Sequence, residues 1–161
     1  MRAARDDDVG AIARFMLDHM GALAEVPANE EIFRSHVAQT VRDGAGLMAL
    51  RGDALVGFLG LMRSQYCYAA EHFLHDTGLC VLPAERGGAV LRTLLAEARG
   101  IADAAGMILK IIDTNGARER LARGPLARTA EIIGYRPAGR MLTFYPRAAQ
   151  PPDHLSESPI K

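Results

Sequence analysis

Arg86, Gly87, Gly88 and Arg92 stand where one apolar run stops at Pro83 and a new apolar pattern of helical spacing starts at Val90. A helix beginning there presents unpaired backbone N–H groups and the positive end of its dipole, together equivalent to about half a unit of charge. Two glycines let an anion approach that backbone with no Cβ in the way. Arginines on either side supply charge-assisted hydrogen bonds. Residues of these types in this order suit an anion such as a phosphate group. The competing reading is a Gly-Gly pair that merely makes a tight turn, and the flanking arginines count against it.

The elements that hold this turn are legible from periodicity. Phe73–Leu82 reads as a strand closed by Pro83, and Val90, Leu91, Leu94, Leu95, Ala98, Ala102 and Ala105 mark one face of a helix that ends at Gly106. Met107–Ile112 is apolar almost throughout, as expected of a strand covered on both faces. Upstream, Met1–Arg5 reads as a short first strand. Asp6-Asp7-Asp8 then leads a helix carrying Val9, Ile12, Ala13, Met16, Met20 and Leu23 as far as about Ala24, before Pro27. A second helix starts near Asn29, with Ile32, Phe33, Val37 and Val41 on one face, and stops at Asp43-Gly44. Leu47–Leu50 and Leu55–Met62 are joined by Arg51-Gly52-Asp53-Ala54, a hairpin signal, and Ser64–His72 reads as a loop. Beyond Asn115, helical patterns cover Ala117–Ala122 and Leu126–Ile133, and closing strands are expected at Tyr135–Arg136 and Arg140–Tyr145. The order is β-αα-βββ-α-β-α-ββ: an α/β (α+β mixed) fold, with a mixed, mostly antiparallel sheet of about six to seven strands and helices on both faces. Residues 1–146 form a single domain in this reading, and 147–161, rich in Pro and polar residues, form a disordered tail.

Composition narrows the function. The chain has 161 residues, half of them hydrophobic, which suits one packed domain. Nineteen basic and nineteen acidic side chains cancel, whereas a nucleic-acid binder ordinarily carries a basic excess. Cys67 and Cys80 form neither a metal-type pair nor a disulfide framework, and no metal site is expected. No apolar stretch has the length of a membrane span and the N-terminus lacks a signal-type core, so a cytoplasmic location away from membranes is expected.

The segment Val81-Leu82-Pro83-Ala84-Glu85-Arg86-Gly87-Gly88, followed by Leu94-Leu95 and later by Gly134-Tyr135-Arg136-Pro137, resembles the GNAT superfamily of acyl-CoA-dependent N-acyltransferases. The likeness in element order runs from Met1 to Pro146. It implies that acetyl-CoA is the co-substrate, with Arg86, Gly87, Gly88, Ala89, Val90, Leu91 and Arg92 around its pyrophosphate. It also implies that the strand before the turn splays from its neighbour, so that the edge at Leu79, Cys80 and Val81 pairs with the pantetheine arm. Ala89 and Leu91 stand where the family usually has small residues, most often glycine. The bulk of Leu91 is therefore expected to crowd the pyrophosphate or reshape the turn. Asn115 matches an asparagine common after the next strand, where it could bond the cofactor arm; otherwise it is a turn residue of Thr114-Asn115-Gly116. Arg118, Arg120, Arg123 and Arg128 offer a basic flank for the 3′-phosphate, or else a solvated helix face.

Acyl transfer by direct attack needs a base for the amine and a proton for the leaving thiolate. Alternation along Phe73–Val81 is expected to put Phe73, His75, Thr77, Leu79 and Val81 on one face. Histidine titrates nearest neutrality, and His75 lies close to where some relatives place a glutamate base; the competing reading is a histidine at a strand start that only hydrogen-bonds a neighbour. Glu71 and His72 are alternative bases in the preceding loop. A backbone N–H near Val81 would polarise the thioester carbonyl. Aligning Glu131–Tyr135 with the family ending puts Ala130 where many relatives carry a tyrosine acid, leaving Tyr68, Tyr66 or a water as substitutes; otherwise these loop tyrosines contact substrate or pack. The resulting reading is an N-acetyltransferase acting on an amine-bearing small molecule or peptide, compatible with a homodimer. Its rivals are a non-catalytic acyl-CoA-binding regulator or partner-binding module of the same fold, and an unrelated α/β binding domain whose strands do not splay.

Overall fold

The computed structural model describes residues 1–20, 29–85, 88–112, 132–138 and 141–144. Arg2–Ala3 (β1) leads through a 3-10 turn at Asp6–Asp8 into helix α1, Val9–Met20. Helix α2 is Glu30–Asp43, and strands β2 (Ala45–Arg51), β3 (Ala54–Gln65) and β4 (His72–Val81) follow. Then come helix α3 (Ala89–Ala105) and strands β5 (Ile108–Ile112), β6 (Arg136–Ala138) and β7 (Met141–Phe144). The seven strands form one sheet in the order β1-β2-β3-β4-β5-β7-β6. Every pairing is antiparallel except β4 with β5. The mixed sheet and the helices on both faces agree with the expected fold class. The expected helix over Leu126–Ile133 falls almost wholly outside the described residues, as do residues 21–24 of the first helix and the tail at 147–161.

Local chemistry accounts for the boundaries. Asn29 caps α2, its side-chain oxygen accepting from the Ile32 N–H at 3.0 Å. Gly106 ends α3 in the left-handed region at φ 64°, which glycine adopts without a Cβ clash. The β2–β3 hairpin turns on Gly52-Asp53, and β3 runs to Gln65, so the loop before β4 is only Tyr66–Glu71. At the N-terminus Asp8 accepts both guanidinium nitrogens of Arg2 at 2.6 Å. That pairing holds its carboxyl down at about 2, against an ordinary 3.8. A depressed carboxylate contributes stability above its unfolded value and loses it as pH falls through its folded value. Acid unfolding of the wild type should therefore carry a component between about pH 4 and pH 2 that Asp8→Asn removes. Chemical denaturation at stepped pH reads it out, and identical acid limbs for the two proteins would contradict the assignment.

Two apolar layers sandwich the sheet. On one face α3 buries Leu91, Leu94, Leu95, Ala98 and Ala102 against Leu59, Leu61, Leu74, Val81, Leu109 and Ile111. On the other, α1 and α2 bring Val9, Ile12, Met16 and Val37 onto Met48, Phe58 and Cys80. The register of β3 and β4 slips once: Gly60 faces Gly78 but Leu61 faces Asp76, so Thr77 is an extra residue in β4. This bulge inverts the alternation. Leu79 and Val81 pack toward α3, while Thr77 turns to α2, where its hydroxyl meets that of Thr40 at 3.1 Å. Below the bulge Asp76 pairs with Leu61 of the α3 face, and His75 and Phe73 fall on the α1/α2 face. The single face expected for Phe73, His75, Thr77, Leu79 and Val81 is therefore two half-faces, because strict alternation cannot survive an inserted residue.

A Cβ at Gly60 would overlap the Thr77 hydroxyl and lie 2.8 Å from Thr40 Cγ2. Gly60→Ala should accordingly destabilise the fold by about 1–3 kcal/mol. Gly10 in α1 has nothing within 4 Å of an added Cβ, and Gly10→Ala should stabilise by up to about 1 kcal/mol. Urea titrations of the pair check both signs. Equal midpoints would contradict the packing described at the bulge.

Candidate functional site

The site is organised by a divergence of strands. The parallel ladder of β4 with β5 comprises Phe73↔Ile108, Leu74↔Leu109 and His75↔Lys110. From Asp76 onward β4 continues its ladder with β3 as far as Val81, while β5 continues with β7 through Ile112. A wedge thus opens between two parallel strands, with the His75–Lys110 rung at its vertex. Leu82 N–H donates to the Val56 carbonyl at 3.0 Å. In an antiparallel ladder this fixes which residues turn their peptide groups which way. Cys80 and Gly78 share the phase of Leu82 and bond toward β3. Leu79 and Val81 turn their N–H and C=O toward the wedge. Of the three edge residues expected, Cys80 is thus oriented away, and its side chain is buried on the α1/α2 face.

Beyond the end of β4, the short turn Pro83–Glu85 carries the chain into α3. Glu85 N–H donates to the Leu82 carbonyl at 2.8 Å, and Gly88 N–H to the Glu85 carbonyl at 3.2 Å. The Gly88 donor is therefore engaged within the turn, although it was expected at the pyrophosphate. The first-turn N–H groups of Ala89, Val90 and Leu91 have no earlier helical carbonyl to reach. Arg92 is exposed one residue further on. Arg51 Nη2 meets Glu85 Oε1 at 2.7 Å and ties the β2–β3 hairpin to this turn. Arg86 and Gly87 lie outside the described residues, as do Asn115, Arg118, Arg120, Arg123, Arg128 and Ala130. Leu91 is a correction: its side chain is 6% exposed and packs in the core between α3 and the sheet. Its bulk points away from the helix start and does not crowd an anion there. The i, i+3, i+4 spacing with Leu94 and Leu95 already contained this, since all three must share the buried stripe.

At the vertex, His75 is half-buried and its Nδ1 lies 3.1 Å from the Asp76 carbonyl oxygen. A carbonyl only accepts, so Nδ1 is the donor there, and in the neutral ring the lone pair is on Nε2. Phe73 lies 6.0 Å from His75 and Tyr66 lies 4.6 Å from Phe73, between ring centroids. Tyr68 is 82% exposed and, among the described residues, touches the row through Tyr66, at 5.3 Å. Glu71 is exposed at the loop end, where its carbonyl accepts from Tyr66 N–H at 3.3 Å. Among the described residues no hydrogen bond links Glu71 or Tyr68 to His75, so the three expected catalytic residues are neighbours along the chain more than a joined set. Across the sheet Tyr135 buries its ring and donates its hydroxyl to the Leu95 carbonyl at 3.1 Å. Burial pushes its pKa well above the usual value, so it holds its proton and locks the chain after Gly134 onto α3.

Lys110, the partner of His75 in the vertex rung, escaped the sequence reading. Its Nζ stands 4.3 Å from the Tyr66 ring centroid and 4.2 Å from that of Phe73. The available signal was a single charged residue inside the apolar run Met107–Ile112. Among the described residues there is no group of three or more His, Cys, Asp or Glu that could hold a metal, and no helix long and apolar enough to cross a membrane.

Solved structures share this architecture. A GNAT family acetyltransferase from Brucella melitensis in complex with acetyl-CoA aligns with TM-score 0.66 at 16% identity, over 93% of this chain and 89% of that one. An acetyltransferase of the GNAT family from Streptococcus pneumoniae aligns with TM-score 0.66 at 13% identity, over 90% and 97%. A transcriptional regulator from Bacillus halodurans C-125 aligns with TM-score 0.64 at 18% identity, over 86% and 93%. No protein-family model and no curated protein matches the sequence. The fold is that of the GNAT acetyltransferases.

Proposed function

We propose that this chain is a cytoplasmic N-acetyltransferase that moves an acetyl group from acetyl-CoA to a primary amine by direct attack, its residues 1–146 forming one catalytic domain. The observation that carries the reading is the wedge between β4 and β5, with Leu79 and Val81 turned into it and the start of α3 beyond the end of β4. An extended pantetheine arm matches a strand edge, since both offer amide donors and acceptors at similar spacing. The phosphates then fall at the first-turn N–H groups of Ala89, Val90 and Leu91, with Arg92 and Arg86 beside them.

Strand geometry refines the chemistry. At about 3.3 Å per residue, Val81 lies roughly 20 Å along the strand from His75, too far for both to act on one thioester. Leu79 lies roughly 13 Å away, a gap bridged by the imidazole, the acceptor amine and one water. Leu79 N–H is thus the donor to the thioester oxygen. His75 Nε2 takes the proton that the amine nitrogen loses as the new C–N bond forms. The C–S bond breaks, and the thiolate takes a proton from water.

The first test is direct. Calorimetry should show saturable acetyl-CoA binding, and an amine panel should give amine-dependent release of free thiol. Absence of binding at millimolar acetyl-CoA would sink the reading. Binding with no turnover of any amine would instead favour the second reading, an acyl-CoA-responsive regulator. The likeness to a structure described as a transcriptional regulator supports that alternative.

A further inference from the structure

Lys110 is one of two lysines in a chain with seventeen arginines, and it sits beside the candidate base in the last rung before the wedge. Leu109 and Ile111, its neighbours on β5, are fully buried toward α3. Strand alternation therefore sends Lys110 to the opposite face, the one that carries His75 and Phe73. There its ammonium is half-buried and rests on the ring faces of Tyr66 and Phe73, at 4.3 and 4.2 Å. Ring faces offset part of the cost of removing a cation from water, but they accept none of its three N–H bonds well. The ion pairs among the described residues join Arg2 to Asp8, Arg51 to Glu85 and Arg99 to Asp103, and none includes Lys110. A cation held in place by two aromatic rings, with none of the described carboxylates on it, is complementary to an anion supplied from outside.

We propose that Lys110 determines acceptor specificity by binding the carboxylate of a small amino-acid-type acceptor whose amine is then presented to His75 and the thioester. The inference rests on the transferase reading above. A fixed positive charge at the vertex also repels polycationic acceptors, so polyamines and aminoglycoside-like amines are disfavoured. It further favours the neutral, nucleophilic form of an amine placed next to it. The transfer itself is unchanged: nitrogen gains the acetyl carbon and loses one proton, and sulfur leaves and gains one.

Matched acceptors test this. Thiol release is measured with glycine against glycinamide, L-phenylalanine against its amide, and spermidine, for the wild type, Lys110→Met and Lys110→Arg. The wild type should prefer each acid over its amide by tenfold or more in kcat/KM. Lys110→Met should erase that preference through KM, and Lys110→Arg should restore part of it. Preference for the amides or for spermidine, or a preference that survives in Lys110→Met, would overturn the proposal. A second measurement needs no turnover. Reductive methylation with 13C-formaldehyde labels only Lys110, Lys161 and the N-terminus, and Lys110→Arg identifies the first signal. That signal should move on titration with N-acetylglycine and stay still with its amide. No movement overturns the carboxylate site even if some amine is acetylated. Movement without thiol release from any amine leaves the site standing and sinks the transferase reading alone.

Discussion

Replacing His75 by glutamine is expected to lower kcat with the best acceptor by about 100- to 10,000-fold, while the acetyl-CoA dissociation constant stays where it was. The argument is positional. Nδ1 is committed to the Asp76 carbonyl at 3.1 Å, which fixes the tautomer and leaves Nε2 as the basic atom on the face that carries Phe73 and Lys110. Glutamine keeps comparable size and hydrogen-bonding capacity, so β4 should retain its register and only proton transfer is lost. In the proposed binding mode the cofactor lies along Leu79 and the start of α3, at least four residues away along the strand, so binding should be spared. Stopped-flow thiol detection gives the rate and calorimetry gives the affinity. A variant that keeps more than a third of the wild-type kcat would remove His75 from the mechanism and return the role to Glu71 or water.

A negative charge at Ala89 should weaken acetyl-CoA binding by roughly 30-fold, about 2 kcal/mol at an effective dielectric near 20 and a separation of several ångströms. Ala89 is exposed in the first turn of α3, with no side chain reaching into the core. Glutamate at this position also complements the helix dipole, worth a few tenths of a kcal/mol. Ala89→Glu is therefore expected to leave the melting temperature equal or slightly higher while it repels the phosphates. Opposite signs on stability and affinity distinguish an anion site from a turn that is only structural. Unchanged affinity would place the pyrophosphate elsewhere. The contribution of Leu91, by contrast, is read in stability: buried at 6% exposure, it belongs to the core that α3 makes with the sheet.

Much of the scaffold is local and so was readable along the chain. Asn29 as a cap, Gly52 at the hairpin and Gly106 at the helix end are decisions made within a few residues, by capping and by the left-handed region. The helical stripe of α3 and the apolar run of β5 likewise follow from periodicity, which depends only on which residues must be buried. The stop at Pro83 and the helix start after Gly88 were legible for the same reason, since Pro and Gly act there on their own backbone. Which N–H groups that start leaves available is a different matter, because Gly88 gives its donor to Glu85.

Everything that depends on strand pairing was decided by tertiary structure. The bulge at Thr77 comes from β3, where Gly60 and Leu61 face residues two apart. No feature of β4 alone marks the insertion, and it moves His75 and Val81 onto different faces. The ladder phase that turns Leu79 and Val81 into the wedge and Cys80 away is set by Val56, more than twenty residues earlier. Lys110 becomes a neighbour of His75, Phe73 and Tyr66 only because β4 and β5 run parallel for three rungs. A sequence specifies its own periodicities and turns; the partner strand specifies which peptide groups and which side chains meet at the site.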